Sequence, residues 1–194
     1  MTTKHASKPT ASSGRGNRLG QTAHSSTVTQ MLSDSKQYFK SLVLRLKTKR
    51  TTEECQVELH RIVGDMKTDV STNIDALIQH VVEMRPAPGS PNYEQTSRLY
   101  DLILDQVMKM MEDLEKTFTG IFGEFSANME RLWKAISNDR EEDLNVAQEN
   151  FRTILEKYSV QWNQAFQHAN QTVHDFEKQL TQKSMERNVG RNQL

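Results

Sequence analysis

Cysteine is nearly absent. The only one among 194 residues is Cys55, which excludes a disulfide framework within the chain and a thiolate zinc site. That usage fits a reducing compartment. Proline occurs four times and glycine eight times, so little in the chain forces turns. No run approaches the ~18 apolar residues of a membrane span, and the first residues lack the apolar core of a secretory signal. Hydrophobic residues make up 35% of the chain and aromatics 7%, with a mean hydropathy of −0.74. That is little for a packed α/β domain and fits an extended helical protein. Acids are scarce at the front. Residues 1–50 hold ten of the 25 Lys/Arg but a single carboxylate, Asp34, out of 25. A basic front on an acidic body suggests a polyanion partner, contact between copies, or simply a solvated tail.

What is present is helical periodicity. Leu99, Ile103, Val107, Met110, Leu114, Phe118, Ile121, Phe125, Met129, Leu132 and Ile136 follow at intervals of three and four, in an eleven-residue rhythm. A second series runs through Leu144, Ala147, Phe151, Leu155, Tyr158, Trp162, Phe166, Ala169, Val173, Phe176 and Leu180. The spacing predicts one proline-free helix over 93–187, weakly supercoiled because eleven-residue repeats nearly match the α-helix. Such a rod would be about 140 Å long. Between the two series the stripe lapses over residues 137–143, where Asn138 and Glu141 form a capping pair; a continuous helix is the favoured reading and a hairpin the alternative. Gly120 and Gly123 weaken the helix unless close packing needs them.

Ahead of that helix, Ser, Thr, Gly and basic residues dominate positions 1–27, which read as a disordered tail. Leu32, Ser35, Phe39, Leu42 and Leu46 mark a first helix, with Lys36, Lys40, Arg45, Lys47, Lys49 and Arg50 on its other faces and end. These cations make a phosphate-contacting patch, an anionic-membrane face, or an ordinary solvated helix end. Thr51 and Glu54 form a capping box that opens a second helix, with Cys55, Leu59, Ile62, Met66, Val70, Leu77, Val81 and Met84 along its stripe. Pro86, Pro88, Gly89 and Pro91 then reverse the chain, with Ser90 or Asn92 as the cap of the long helix. Ser90-Pro91 also matches the bare requirement of a proline-directed kinase.

The expected fold is all-α: an elongated helical bundle or coiled coil with a long C-terminal helix and a disordered basic N-terminal tail. Its parts are the tail over 1–27, two helices over 28–85 (about 28–50 and 52–85), a Pro-rich turn over 86–92, the coiled-coil helix over 93–187 and a disordered end over 188–194. No catalytic constellation is visible: no phosphate-binding glycine loop, no His-Glu-x-x-His, and no Glu three residues before a His. The chain is therefore expected not to be an enzyme and to hold no cofactor or metal. The bulky seam points to three or four helices at each level, supplied by several chains or by the earlier helices packing back. Leu114, Phe118, Phe125, Met129, Leu132, Trp133, Leu155, Tyr158, Trp162, Phe166 and Phe176 are the expected oligomer interface.

Met129-Glu-Arg-Leu-Trp-Lys134, Asp139-Arg-Glu-Glu-Asp-Leu-Asn145 and Gln161-Trp-Asn163 with Gln167 and Ala169 give the chain a family resemblance. Over roughly residues 112–170 it resembles the coiled-coil region of the Xlr-type family, which includes the lateral-element coiled coil of the meiotic synaptonemal complex. The resemblance implies a nuclear, chromosomal, self-assembling rod of the meiotic axis type with basic ends on DNA; without it the expected location is cytoplasmic. The matching cations, by charge and location, are Lys47, Lys49 and Arg50 at one end and Lys183, Arg187 and Arg191 at the other; with Lys36, Lys40 and Arg45 of the first helix they are the expected nucleic-acid-binding residues. Expected partners are further copies, up to a tetramer, or other coiled-coil proteins, together with DNA. The alternative is a subunit of a hetero-oligomeric kinetochore, centrosomal or vesicle-tethering complex, acting through protein contacts alone.

Overall fold

The computed structural model describes residues 24–186. Five α-helices run in chain order: α1 (Ser26–Ser33), α2 (Ser35–Lys47), α3 (Thr52–Glu83), α4 (Tyr93–Ser137) and α5 (Glu141–Met185). The architecture is an all-α bundle, with no strand among the described residues. Helix α3 starts as the sequence specifies. Thr51 Oγ1 accepts from the Glu54 amide at 3.2 Å, and Glu54 Oε2 accepts from the Thr51 amide at 3.4 Å.

The long helix is not continuous. It stops at Ser137, turns through Asn138–Arg140 with Asp139 at φ 50°, and returns antiparallel as α5. Asp is among the few residues that adopt this left-handed backbone at modest cost, so the reversal needs neither glycine nor proline. Asn138 and Glu141 do not cap the new helix: Arg140 stands at its N-cap without a side-chain hydrogen bond. The register of the hairpin is pinned near both ends. Asn92 Nδ2 donates to the Lys183 carbonyl, and buried Asn128 Nδ2 to that of Ala147, each at 3.0 Å. At about 1.5 Å per residue, each 45-residue arm spans about 67 Å, half the predicted rod.

The Pro86–Asn92 loop sends α3 back along α4, and the tight α2–α3 connection sets the N-terminal helices antiparallel to α3. Those helices were expected as one element over 28–50. Asp34 divides them, because its Oδ1 accepts from the Gln37 amide at 2.9 Å and so starts α2 afresh. Phe39 packs on Phe151 with ring centroids 5.4 Å apart, and His24 on Trp162 at 4.1 Å, so α1–α2 covers only half the length of α5. That half is a four-helix bundle. The other half is built from α3, α4 and α5 alone, with His80 Nε2 and Glu177 Oε2 bridging α3 and α5 at 3.9 Å.

Side-chain size follows this division. Phe118, Phe125, Phe151, Tyr158, Trp162 and Phe166 are fully buried where four helices enclose a wide core. Beyond α1, Tyr100 apart, the buried seam turns to Val70, Leu77, Ile103, Val107, Val173 and Leu180, as three helices leave less volume to fill. The residues expected at an oligomer interface are already covered within the single chain. Leu114, Phe118, Phe125, Met129, Leu132, Leu155, Tyr158, Trp162 and Phe166 are buried by the chain's own helices, and Trp133 and Phe176 half-buried. Once the hairpin closes, the stripe of each arm is covered by the other arm and by α1–α3.

The glycines of α4 do not serve close packing. A Cβ added at Gly120 or Gly123 would meet nothing within 4 Å, and the same holds at Gly64 in α3. The double change Gly120→Ala, Gly123→Ala is expected to raise the melting temperature by about 2–8 °C, through about 1 kcal/mol of helix propensity per site. Scanning calorimetry would check it; a fall would reveal contacts at that face.

Candidate nucleic-acid interface

The basic residues singled out in the sequence fall into three settings. Lys36, Lys40 and Lys47 recur at helical spacing on α2 and are exposed, while Tyr38, Phe39, Leu42 and Leu46 fix the helix by its buried face. Lys49 and Arg50 follow in an exposed connection held by local bonds. Thr48 Oγ1 donates to the Arg45 carbonyl at 2.7 Å, and the Arg50 amide to Glu54 Oε2 at 2.8 Å. No carboxylate lies within ion-pair distance of these five cations among the described residues. Lys36 and Lys47 are about 16 Å apart along the axis, about five nucleotide steps of a DNA strand.

Arg45 is occupied. Its Nε lies 3.3 Å from Glu58 Oε1, Nη1 donates to Ser41 Oγ at 3.2 Å, and the guanidinium covers the Tyr38 ring at 5.4 Å. Burial pushes the Glu58 carboxyl up, but Arg61 and then Arg45 and Lys49 outweigh it and hold it below the usual carboxylate range. Arg45 thus ties α2 to α3.

Lys183 lies at the opposite end of the bundle, beside the Pro86–Asn92 loop, with its Nζ 2.9 Å from Glu186 Oε2. Arg187 and Arg191 lie outside the described residues. Among the described residues the two expected basic ends are therefore not equivalent: one is an array of open cations, the other a single paired lysine.

Sequence reading missed a third group. Arg131, Lys134 and Arg140 surround a recess of about 270 Å³ at the tip of the α4–α5 hairpin, with Asn138 and Asp143. Arg140 Nη1 is 3.6 Å from Asp143 Oδ2. The signal was the polar lapse itself, which marks a tip only once the chain is known to turn there. Phe39 sits on Phe151, and Lys47 lies two turns further along, so the α2 cations and this tip share one end of the molecule.

One buried polar cluster joins the N-terminal segment to the bundle. Asp69, 6% exposed, accepts from the Ser25 amide at 2.9 Å and from Ser25 Oγ at 3.2 Å, with His24 Nδ1 at 3.6 Å. Burial lowers the His24 pKa, outweighing the Asp69 carboxylate that would raise it. Burial, with Asp69 adding to it, pushes the Tyr158 hydroxyl far up. The expected tail over 1–27 therefore ends sooner, with residues 24–27 ordered. Residues 1–23, like the expected end over 188–194, lie outside the described residues.

Cys55 is buried, its thiol pushed up by burial, and its Sγ lies 3.7 Å from the Leu46 carbonyl oxygen. It packs. No group of three or more His, Cys, Asp or Glu among the described residues could hold a metal ion, and no described helix is long and apolar enough to cross a membrane. The face of α2 that a membrane reading would need is turned into the bundle. Comparison with family models, curated proteins and solved structures finds no match to this chain.

Proposed function

We propose that this chain is a structural, non-enzymatic chromosomal protein that contacts DNA through the basic end of its helical bundle. The observation that carries the reading is the row of cations Lys36, Lys40 and Lys47 on a helix fixed by its opposite face, continued by Lys49 and Arg50 in the connection after it, none of them ion-paired among the described residues. A rigid array of cations on an uncatalytic scaffold suits phosphate contact that is independent of base sequence. The resemblance to the Xlr-type family supports placing it in the nucleus, on meiotic chromosome axes. Assembly with further copies would use outer surfaces, because the apolar seam is engaged within the chain.

Duplex DNA binding by the full chain is expected to weaken steeply with salt, the log–log slope falling by about 1 for each of Lys36, Lys40, Lys47 and Lys49 changed to Ala. Fluorescence anisotropy against salt measures it. Absence of binding at low salt would sink the DNA reading. A shallow groove of about 460 Å³ between α4 and α5, lined in part by Met110, Leu114 and Ala165, favours a second reading as a subunit of a hetero-oligomeric helical complex. In that case the lysine changes would leave partner binding untouched.

A further inference from the structure

Ser90-Pro91 is the only Ser/Thr-Pro step in the chain. A capping role at the start of α4 would have explained Ser90, but the structure removes that explanation. The N-cap is Asn92, in the left-handed region at φ 61°, and no side chain caps the helix. The Ser90 hydroxyl makes no hydrogen bond among the described residues; only its backbone is engaged, the amide donating to the Ala87 carbonyl and the carbonyl accepting from the Tyr93 amide, each at 3.1 Å. Ala87, Pro88, Gly89 and Pro91 are exposed and Ser90 itself is half-buried, with Gly89 at φ +84° making the turn. A half-exposed hydroxyl with no hydrogen bond among the described residues, followed by an exposed proline on a loop at the end of the bundle, meets the local requirement of a proline-directed kinase.

We propose that Ser90 is the phosphoacceptor of an ATP-dependent, proline-directed protein kinase, and that its phosphate closes the open amino-terminal end of α4. In the transfer, Ser90 Oγ forms a bond to the γ-phosphorus of ATP as the bond to the β-phosphate oxygen breaks. The hydroxyl proton passes to the kinase's base, and ADP leaves. The product carries a dianion two residues before the N-cap, at the positive end of a 45-residue helix. The Glu94 and Gln95 amides there have no acceptor among the described residues. The Tyr93 amide donates to the Ser90 carbonyl, which holds Ser90 at the entrance to that first turn. Glu94 is the one carboxylate in α4's first turn and opposes the phosphate; Arg85 stands at the start of the loop.

The test incubates the full chain with ATP and a mitogen-activated protein kinase, then maps phosphate by mass spectrometry. One phosphate on Ser90 is expected, lost in Ser90→Ala and in Pro91→Ala and retained in Ser90→Thr, with circular dichroism confirming that each variant keeps its helices. The phosphorylated protein should melt about 1–4 °C higher than the untreated chain, with no rise in Ser90→Ala after the same treatment. No incorporation into the folded chain, preferred modification elsewhere, or equal modification of Pro91→Ala would overturn the assignment of the site. A lower melting temperature on phosphorylation would overturn its role at α4.

Discussion

Trp162→Ala is expected to remove about 3–5 kcal/mol of stability, a large share of the 5–15 kcal/mol that holds an ordinary domain together. Trp162 is 2% exposed at the level where four helices meet. Its ring lies 4.5 Å from Phe166, 5.7 Å from Tyr158 and 6.1 Å from Phe118, and carries His24 at 4.1 Å. Truncation opens a cavity that two 45-residue helices cannot collapse to fill without shifting their register. It also takes away the surface on which the N-terminal segment rests. Urea unfolding would show the loss as a lower midpoint, and a loss below about 1 kcal/mol would mean that the core is not organised here. Trp133 supplies the contrast. It is half-buried near the hairpin tip, so Trp133→Ala should cost clearly less. Trp133 and Trp162 carry the family resemblance together, but only Trp162 is central to the fold.

The eleven-residue rhythm was legible and correct in what it can say. It marks which face of each helix is apolar, and the buried residues of α4 and α5 lie on that face. Periodicity is silent on what covers the face. A partner chain and a returning arm of the same chain require the same stripe, so the interface residues and the core residues are one list. The turn was harder to read because Asn138 and Asp139 make it without glycine or proline, leaving the lapse in apolar spacing as its only mark. Asp34 is similar, an N-cap set within an unbroken stripe. Capping chemistry was legible where side chain and backbone answer each other, at Thr51 and Glu54. At α4 it gave Asn92 correctly as one of two cap positions but not its geometry, because backbone conformation alone begins the helix there. The α2 lysines were visible from charge. That Arg45 is spent on Glu58 while its neighbours are open depends on packing α2 against α3, which local sequence does not encode.

Replacing Asn138, Asp139 and Arg140 together by alanine is expected to convert a monomer into a domain-swapped dimer. In the native chain the seams of α4 and α5 are satisfied internally, so light scattering should give the monomer mass. Alanine at the φ 50° position of Asp139 costs about 1–2 kcal/mol in the hairpin, while three alanines favour a helix running straight through. The seam need not be lost in that change. The α5 arm of one copy can lie on α4 of another with every side-chain contact repeated, which is the usual low-cost route of swapping. The dimer should appear at the expected mass, become more populated with concentration, and show slightly more helical ellipticity than the native chain. Asp139→Gly is the control: glycine adopts the same backbone without strain, so that variant should stay monomeric and be at least as stable. If the triple-alanine chain also remains monomeric, the clamp of α1–α3 across both arms, rather than the turn, holds the hairpin closed. If the native chain already scatters as a dimer, cross-links between α4 of one copy and α5 of another would mark a shared seam, with the rod first read from the sequence as the assembled form, and their absence would mark assembly through outer surfaces.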